Sequence, residues 1–167
     1  VLEDRLGRSK VVPNDIVTSR EDARLIIITG PNMAGKSTVL STLGMITVMA
    51  HAGCFVPATD ATIGIVDRIY YRTGSYDDIG SGKSTFNGMA LAWAVAEWIH
   101  DNIEARTMFT THYHELAALE GSLSHARNYH VGAVEKAGEL IFLYKLMRGS
   151  ADKSYGINVA KMAGLPK

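Results

Sequence analysis

No feature restricts the fold of this chain as much as Gly30-Pro31-Asn32-Met33-Ala34-Gly35-Lys36-Ser37-Thr38. It fits G-x-x-x-x-G-K-[ST], the spacing of a phosphate-binding P-loop. Such a loop works only between a buried strand and the start of a helix, and both flanks comply. Leu25 to Thr29 is a short run of apolar and β-branched residues, as in a buried parallel strand. Ser37 to Ala52 reads as a helix, with Gly53 as the C′ residue that ends it. Gly30 and Gly35 let backbone N–H groups turn inward around a phosphate, and the helix N-terminus adds partial positive charge. Lys36 is placed to reach the β- and γ-phosphates, and the Ser37 hydroxyl to ligate Mg²⁺. Pro31, Asn32, Met33, Ala34 and Thr38 complete the expected phosphate-binding loop.

Composition narrows the partners. A chain of 167 residues is sized for one domain, taken as 1–167. Lys+Arg and Asp+Glu cancel at 17 each, which argues against a surface built mainly to grip nucleic acid. Cys54 is the only cysteine, which excludes a disulfide framework and fits a reducing, cytoplasmic setting. No apolar run reaches membrane-spanning length, so no membrane partner is expected. The abrupt ends suggest a fragment of a longer protein.

Other stretches give weaker expectations. Val11 and Val12 are candidates for an edge strand, followed by a turn at Pro13-Asn14-Asp15. The helix after the P-loop has a broad apolar face, with Met45 and Met49 as core filler and Cys54 as a small buried residue. Ile63 to Arg72 alternates like a strand, and Thr73 to Asn87 is a loop rich in Gly, Ser and Asp. Gly80-Ser81-Gly82-Lys83-Ser84-Thr85 imitates the end of a second P-loop, but Asp77 stands where the first glycine belongs. Gly88 to His100 is helical and apolar nearly all round, which predicts deep burial with Trp93 and Trp98 as anchors. Arg106 to Thr111 reads as a strand whose carboxyl end, the end facing ligand in an open α/β sheet, leads into His112. His112 is therefore a candidate γ-phosphate sensor. His112 and His114 would share a face if extended, yet no third metal ligand accompanies them, and isolated structural histidines are expected. Asn128 to Val134 and Leu140 to Met147 read as two strands around a turn near Ala137-Gly138. Ser154 could cap a last helix running to Ala163.

Five stretches together resemble the MutS family of DNA mismatch repair ATPases. They are the P-loop, Phe55-Val56-Pro57-Ala58, Asp77-Asp78 leading to Ser84-Thr85-Phe86, Thr111-His112-Tyr113-His114-Glu115-Leu116, and Lys153-Ser154-Tyr155-Gly156. They occur in family order across nearly the whole chain. The resemblance implies an α/β fold, a P-loop NTPase of ABC-like type with a mainly parallel central sheet and helices on both faces. It implies ATP and Mg²⁺ as cofactors, and a homodimer or family heterodimer formed through this domain. It also implies mismatched DNA bound by other domains of a longer protein. By position, Asn32 contacts phosphate, and Ser84 is the signature serine that approaches the γ-phosphate of the opposite subunit. His112 is the histidine after the sensor strand. Ser84 and His112 are thus the catalytic candidates. Tyr144 and the segment around Val11 fall where the adenine packs. The family often has aromatic groups there, so Val11 departs from its pattern.

One departure is larger. Phe86 is followed at once by Asn87-Gly88-Met89-Ala90, which in the family lies beyond a helix and an apolar strand ending in Asp-Glu. That Walker B segment, about 30 residues in an ordinary α/β unit, is not found. A chain continuous across that junction would lose a central strand and leave a gap in the sheet, so an omitted or deleted stretch is the expected explanation. Asp77-Asp78-Ile79-Gly80 resembles the family's Asp-Glu-Ile-Gly, but Arg72 to Tyr76 is too polar to be the buried strand before it. Three functions remain in view. One is the ATPase domain of a mismatch repair protein. The second is a nucleotide-binding dimerisation module without hydrolysis, favoured by the missing acidic pair. The third is an unrelated P-loop kinase or transporter ATPase, disfavoured by the ordered motifs.

Overall fold

Leu25–Thr29 forms β1, and all five residues are buried. Its three isoleucines suit a pleated strand, because a branched Cβ restricts χ1 and packs well on both faces. The computed structural model describes residues 11–31, 33–72, 85–136 and 139–150. β1 lies between two parallel neighbours, β2 (Thr107–Thr110) and β3 (Ala126–Lys136), with Ile26 opposite Met108 and Ile27 opposite Asn128. β3 turns back into β4 (Glu139–Arg148), which pairs with it antiparallel. The order across the sheet is β2-β1-β3-β4. The hairpin expected around Ala137-Gly138 is this β3–β4 pair.

Alternation along β1 feeds two cores. Leu25 and Ile27 join Phe109, Tyr113, Leu116 and Leu119, together with Ala92 and Ala96 of α2 (Thr85–Trp98). Ile26 and Ile28 join Ala34, Val131, Leu146 and Val39 of α1 (Lys36–His51). With a side-chain period of two, these are opposite faces of the sheet, and one helix serves each.

α1 ends as expected. Gly53 takes a left-handed φ of 73°, its N–H donates to the Ala50 carbonyl, and Cys54 N–H donates to Met49 O at 2.9 Å. Those two bonds make a Schellman motif with Gly53 at C′. Its apolar face behaves differently. Only Val39 is buried, Met45 is 62% exposed, and Cys54 is exposed rather than buried. Val39 joins the sheet's core, while Leu43, Ile46 and Met49 further along are only half-buried.

α2 corrects a second expectation. It buries Ala92 and Ala96, and His100 follows in a π turn, Ile99–Ile103. The buried positions recur every four residues, the single stripe a helix on a sheet can hide. Trp98 falls off that stripe and is 62% exposed, while Trp93 is half-buried with its indole N–H donating to Glu97 Oε1 at 2.8 Å. Neither is a deep anchor.

Residues 63–72 form no strand despite their alternation. Alternation supplies a face but not a backbone partner. This segment instead lies against α1 through Tyr71 Oη and Ser41 Oγ, 2.6 Å apart, and through Val66 N–H donating to His51 Nε2 at 3.0 Å. Val11 and Val12 are also outside any strand. A central gap is absent among the described residues: the described sheet is continuous, with β2 at one end of it. The junction from Ser81 to Ser84 and the proposed Ser154 helix lie outside the described residues.

Candidate nucleotide site

The carboxyl end of β1 runs directly into the glycine loop. Gly30, Met33 and Gly35 all have positive φ, 138°, 70° and 99°. Gly35 is the N-cap of α1 and provides no side-chain cap. The first N–H groups of the helix are thus left for an external acceptor, beside the positive end of the helix dipole. An open cleft of about 200 Å³ is lined by Pro31, Met33, Gly35, Lys36, Ser37 and Thr38. Lys36 Nζ folds back and donates to the carbonyls of Gly30 and Pro31, the latter at 2.9 Å. Burial pushes its pKa down to about 8. Ser37 and Thr38 are exposed on the first turn. The arrangement fits an anion: backbone donors, one cation and two hydroxyls converge on one open cleft.

The β3–β4 hairpin forms a wall beside that loop. β1 stops at Thr29, opposite His130, whereas β3 continues to Lys136. Beyond Val131 the register with β4 slips. Val131 faces Leu146 but Ala133 faces Phe142, so Leu143, Tyr144 and Lys145 oppose Gly132 alone. This bulge turns Tyr144 into a left-handed conformation, φ 53°. The conformation costs a non-glycine residue about 1–2 kcal/mol and has to be held by its surroundings. Gly132 lies opposite it, and a Cβ there would lie 2.6 Å from Met147 Cε and 3.1 Å from Leu143 Cδ1, so those side chains would have to shift. The result is local and useful. Tyr144 Cδ1 sits 3.5 Å from where a Cβ on Gly35 would be, so the ring stands against the glycine loop. Bulges re-aim side chains in this way next to functional sites.

Asn14 joins the N-terminal segment to the same wall. Its Nδ2 donates to Tyr144 O at 2.9 Å and lies 3.4 Å from Val12 O, and its Oδ1 accepts from Leu146 N–H at 2.6 Å. Lys145 Nζ donates to Pro13 O at 2.8 Å. The segment after Val11 is thereby fixed to Tyr144, and Tyr144 to Gly35.

The remaining sequence candidates are placed unevenly. Thr111 N–H donates to Ile28 O at 3.0 Å, which sets His112 at the same end of the sheet as Gly30. His112 is exposed, with its ring 4.9 Å from that of Tyr113. His114 opens a 3-10 turn, His114–Ala118, so the two histidines are not on one extended face. Among the described residues no cluster of three metal-ligating side chains occurs. Asn32 and Ser84 lie outside the described residues. Sequence reading missed Asn14, Gly132 and the bulge. The only signal for Asn14 was its place in a Pro-Asn-Asp turn.

Fold and site define a mixed α/β domain with an open, glycine-rich cleft at the carboxyl end of its central strand. The model of MutS domain V matches residues 26–87 and 76–167, and the chain belongs to that family. Among curated proteins it is similar to the DNA mismatch repair protein MutS of Bacillus cytotoxicus, 44% identical over 198 positions. That alignment covers 99% of this chain and 22% of the relative. The protein of the same name from Chloroflexus aurantiacus is 46% identical over 209 positions, again 99% of this chain and 22% of the relative. That from Lactobacillus delbrueckii subsp. bulgaricus is 44% identical over 199, covering 100% and 23%. The chain therefore spans little more than a fifth of these relatives. An alignment of 198 positions against 167 residues leaves at least 31 positions filled only by the relative. The two family matches overlap at residues 76–87.

Proposed function

We propose that this chain is the ATP-binding domain of a DNA mismatch repair protein, holding ATP–Mg²⁺ at the glycine loop. The observation that carries the reading is the uncapped start of α1 with Lys36 beside it and Tyr144 as a flanking wall. Lys36 and the first-turn N–H groups hold the β- and γ-phosphates. Ser37 offers a hydroxyl to Mg²⁺, which supplies charge neutralisation when bound. Tyr144 and the Val11 segment flank the base. His112 is the candidate sensor of the γ-phosphate. Ser84 acts from the partner, in a homodimer or family heterodimer, while other parts of a longer cytoplasmic protein read mismatched DNA.

A second reading concerns turnover. At least 31 relative positions are missing, and the family matches overlap at 76–87, the stretch after which the acidic pair is expected. This favours binding and dimerisation without hydrolysis by this chain. Titration with ATP–Mg²⁺ tests the first reading: Lys36→Ala should weaken binding about tenfold to a hundredfold, as for loss of a charged hydrogen bond. Equal affinity of variant and wild type would remove the nucleotide site. Steady-state phosphate release tests the second and should stay at background. Mixing Lys36→Ala with Ser84→Ala subunits of a full-length relative tests action in trans, because one intact composite site should survive in the heterodimer.

A further inference from the structure

We infer that Asn14 is a positioning residue for the nucleotide base: it holds Tyr144 in the bulged, left-handed conformation that sets the ring against Gly35. The inference rests on the nucleotide-site reading above and adds a residue with no role in it. Tyr144 O and Leu146 N–H flank Lys145 on one edge of β4, two residues apart. A neighbouring strand would bond both through the N–H and C=O of a single residue. No described strand lies on that edge. The Asn14 carboxamide carries a donor N–H and an acceptor oxygen side by side, and bonds both groups at 2.9 and 2.6 Å. It does so from 130 residues away in the chain. Nδ2 also lies 3.4 Å from Val12 O, so one side chain links both walls of the proposed base pocket. A carboxylate could accept from Leu146 but not donate to Tyr144, and an alanine could do neither.

Asn14 therefore acts on the base through Tyr144 and has no part in holding phosphates. A double-mutant cycle in this chain reads that out, with ATP–Mg²⁺ and inorganic tripolyphosphate–Mg²⁺ titrated by calorimetry. Asn14→Ala should weaken ATP about tenfold, the scale of one lost base–aromatic stack, and leave tripolyphosphate unchanged. Tyr144→Ala should do the same, and Asn14→Ala should add nothing on top of Tyr144→Ala. Unchanged tripolyphosphate affinity also shows that each variant is folded. The inference is overturned if Asn14→Ala leaves ATP affinity intact, weakens both ligands by one factor, or multiplies with Tyr144→Ala. If wild type binds neither ligand, the nucleotide reading itself fails and the inference falls with it. A wild type that binds tripolyphosphate as tightly as ATP keeps the phosphate cradle and overturns the base wall alone.

Discussion

The two ends of β1 handle polar groups in opposite ways. At the amino end nearly everything is closed. Arg24 donates to His100 O at 3.1 Å and faces Glu104 at 3.8 Å. His100 Nδ1 and Asp101 Oδ1 are 2.6 Å apart, and the His100 and His125 rings stack at 5.9 Å. Both Arg24 and Leu25 N–H groups donate to His125 O at 3.0 Å. Among the described residues, Arg24 Nε is the one buried side-chain polar atom there without a hydrogen-bond partner. At the carboxyl end the chain does the reverse. It takes three positive-φ positions in the space of six residues, leaves a helix start uncapped, and half-buries a lysine whose pKa is pushed down to about 8. Buried polar groups that satisfy one another hold a fold together, whereas donors left open to solvent are available to a ligand. The comparison separates structural from functional polarity without any knowledge of the reaction.

The sharpest break comes from Lys36→Met, which keeps the apolar stem and removes the charge. ATP affinity should fall about tenfold to a hundredfold, while stability in denaturant should hold or rise, because a desolvated ammonium is gone. A loss of more than about 1 kcal/mol of stability would mean that the bonds to the Gly30 and Pro31 carbonyls hold the loop, and the contrast would collapse.

His100→Ala is the mirror experiment. It removes a buried ring with its bonds and should cost about 2–3 kcal/mol of stability. ATP affinity should not move, since about 16 Å of strand separates the two ends. Combined with Lys36→Met the stability effects should add, as for sites that share no partner. Coupling beyond about 0.5 kcal/mol would show that the ends communicate. Gly35→Ala should follow at about 1–2 kcal/mol. The strain comes from its φ of 99° and not from a clash, because the new Cβ would meet Tyr144 at an ordinary 3.5 Å. Its stability loss should be measurable without ligand.

What the sequence disclosed follows from range. β1, the glycine loop, α1 and the Gly53 cap are set by neighbours within a few residues, and periodicity or turn chemistry reads them. The β3–β4 hairpin was legible for the same reason. Residues 63–72 misled because alternation cannot report whether a partner strand has a free edge. Trp98 misled because apolar character all round a helix does not reveal which stripe meets the sheet. The bulge at Tyr144 was out of reach. It depends on Gly132 across the ladder and on Asn14 far away in the chain, and neither leaves a periodic trace.

The subtlest expectation is a proton. Lys36 has its pKa lowered from 10.5 to about 8 by burial. Between those values the unfolded chain binds more protons than the folded one, so stability without ligand should rise with pH across that window. Below about pH 8 both states hold the proton, and the full penalty of burying the charge is present. Phosphate binding works the other way, because the ligand needs the ammonium form. Near neutral pH the lysine is already charged and binding takes up little. At pH 9 most of it is neutral, and each binding event should draw in close to one proton. Calorimetry in buffers of different ionisation enthalpy measures this directly. The binding heat should depend on the buffer at pH 9, hardly at all at pH 7, and in neither case for Lys36→Met. ATP affinity should weaken above pH 8 while the free chain becomes more stable. A buffer-independent heat at pH 9 would show that the lysine keeps its proton, and that its two carbonyl bonds outweigh its burial.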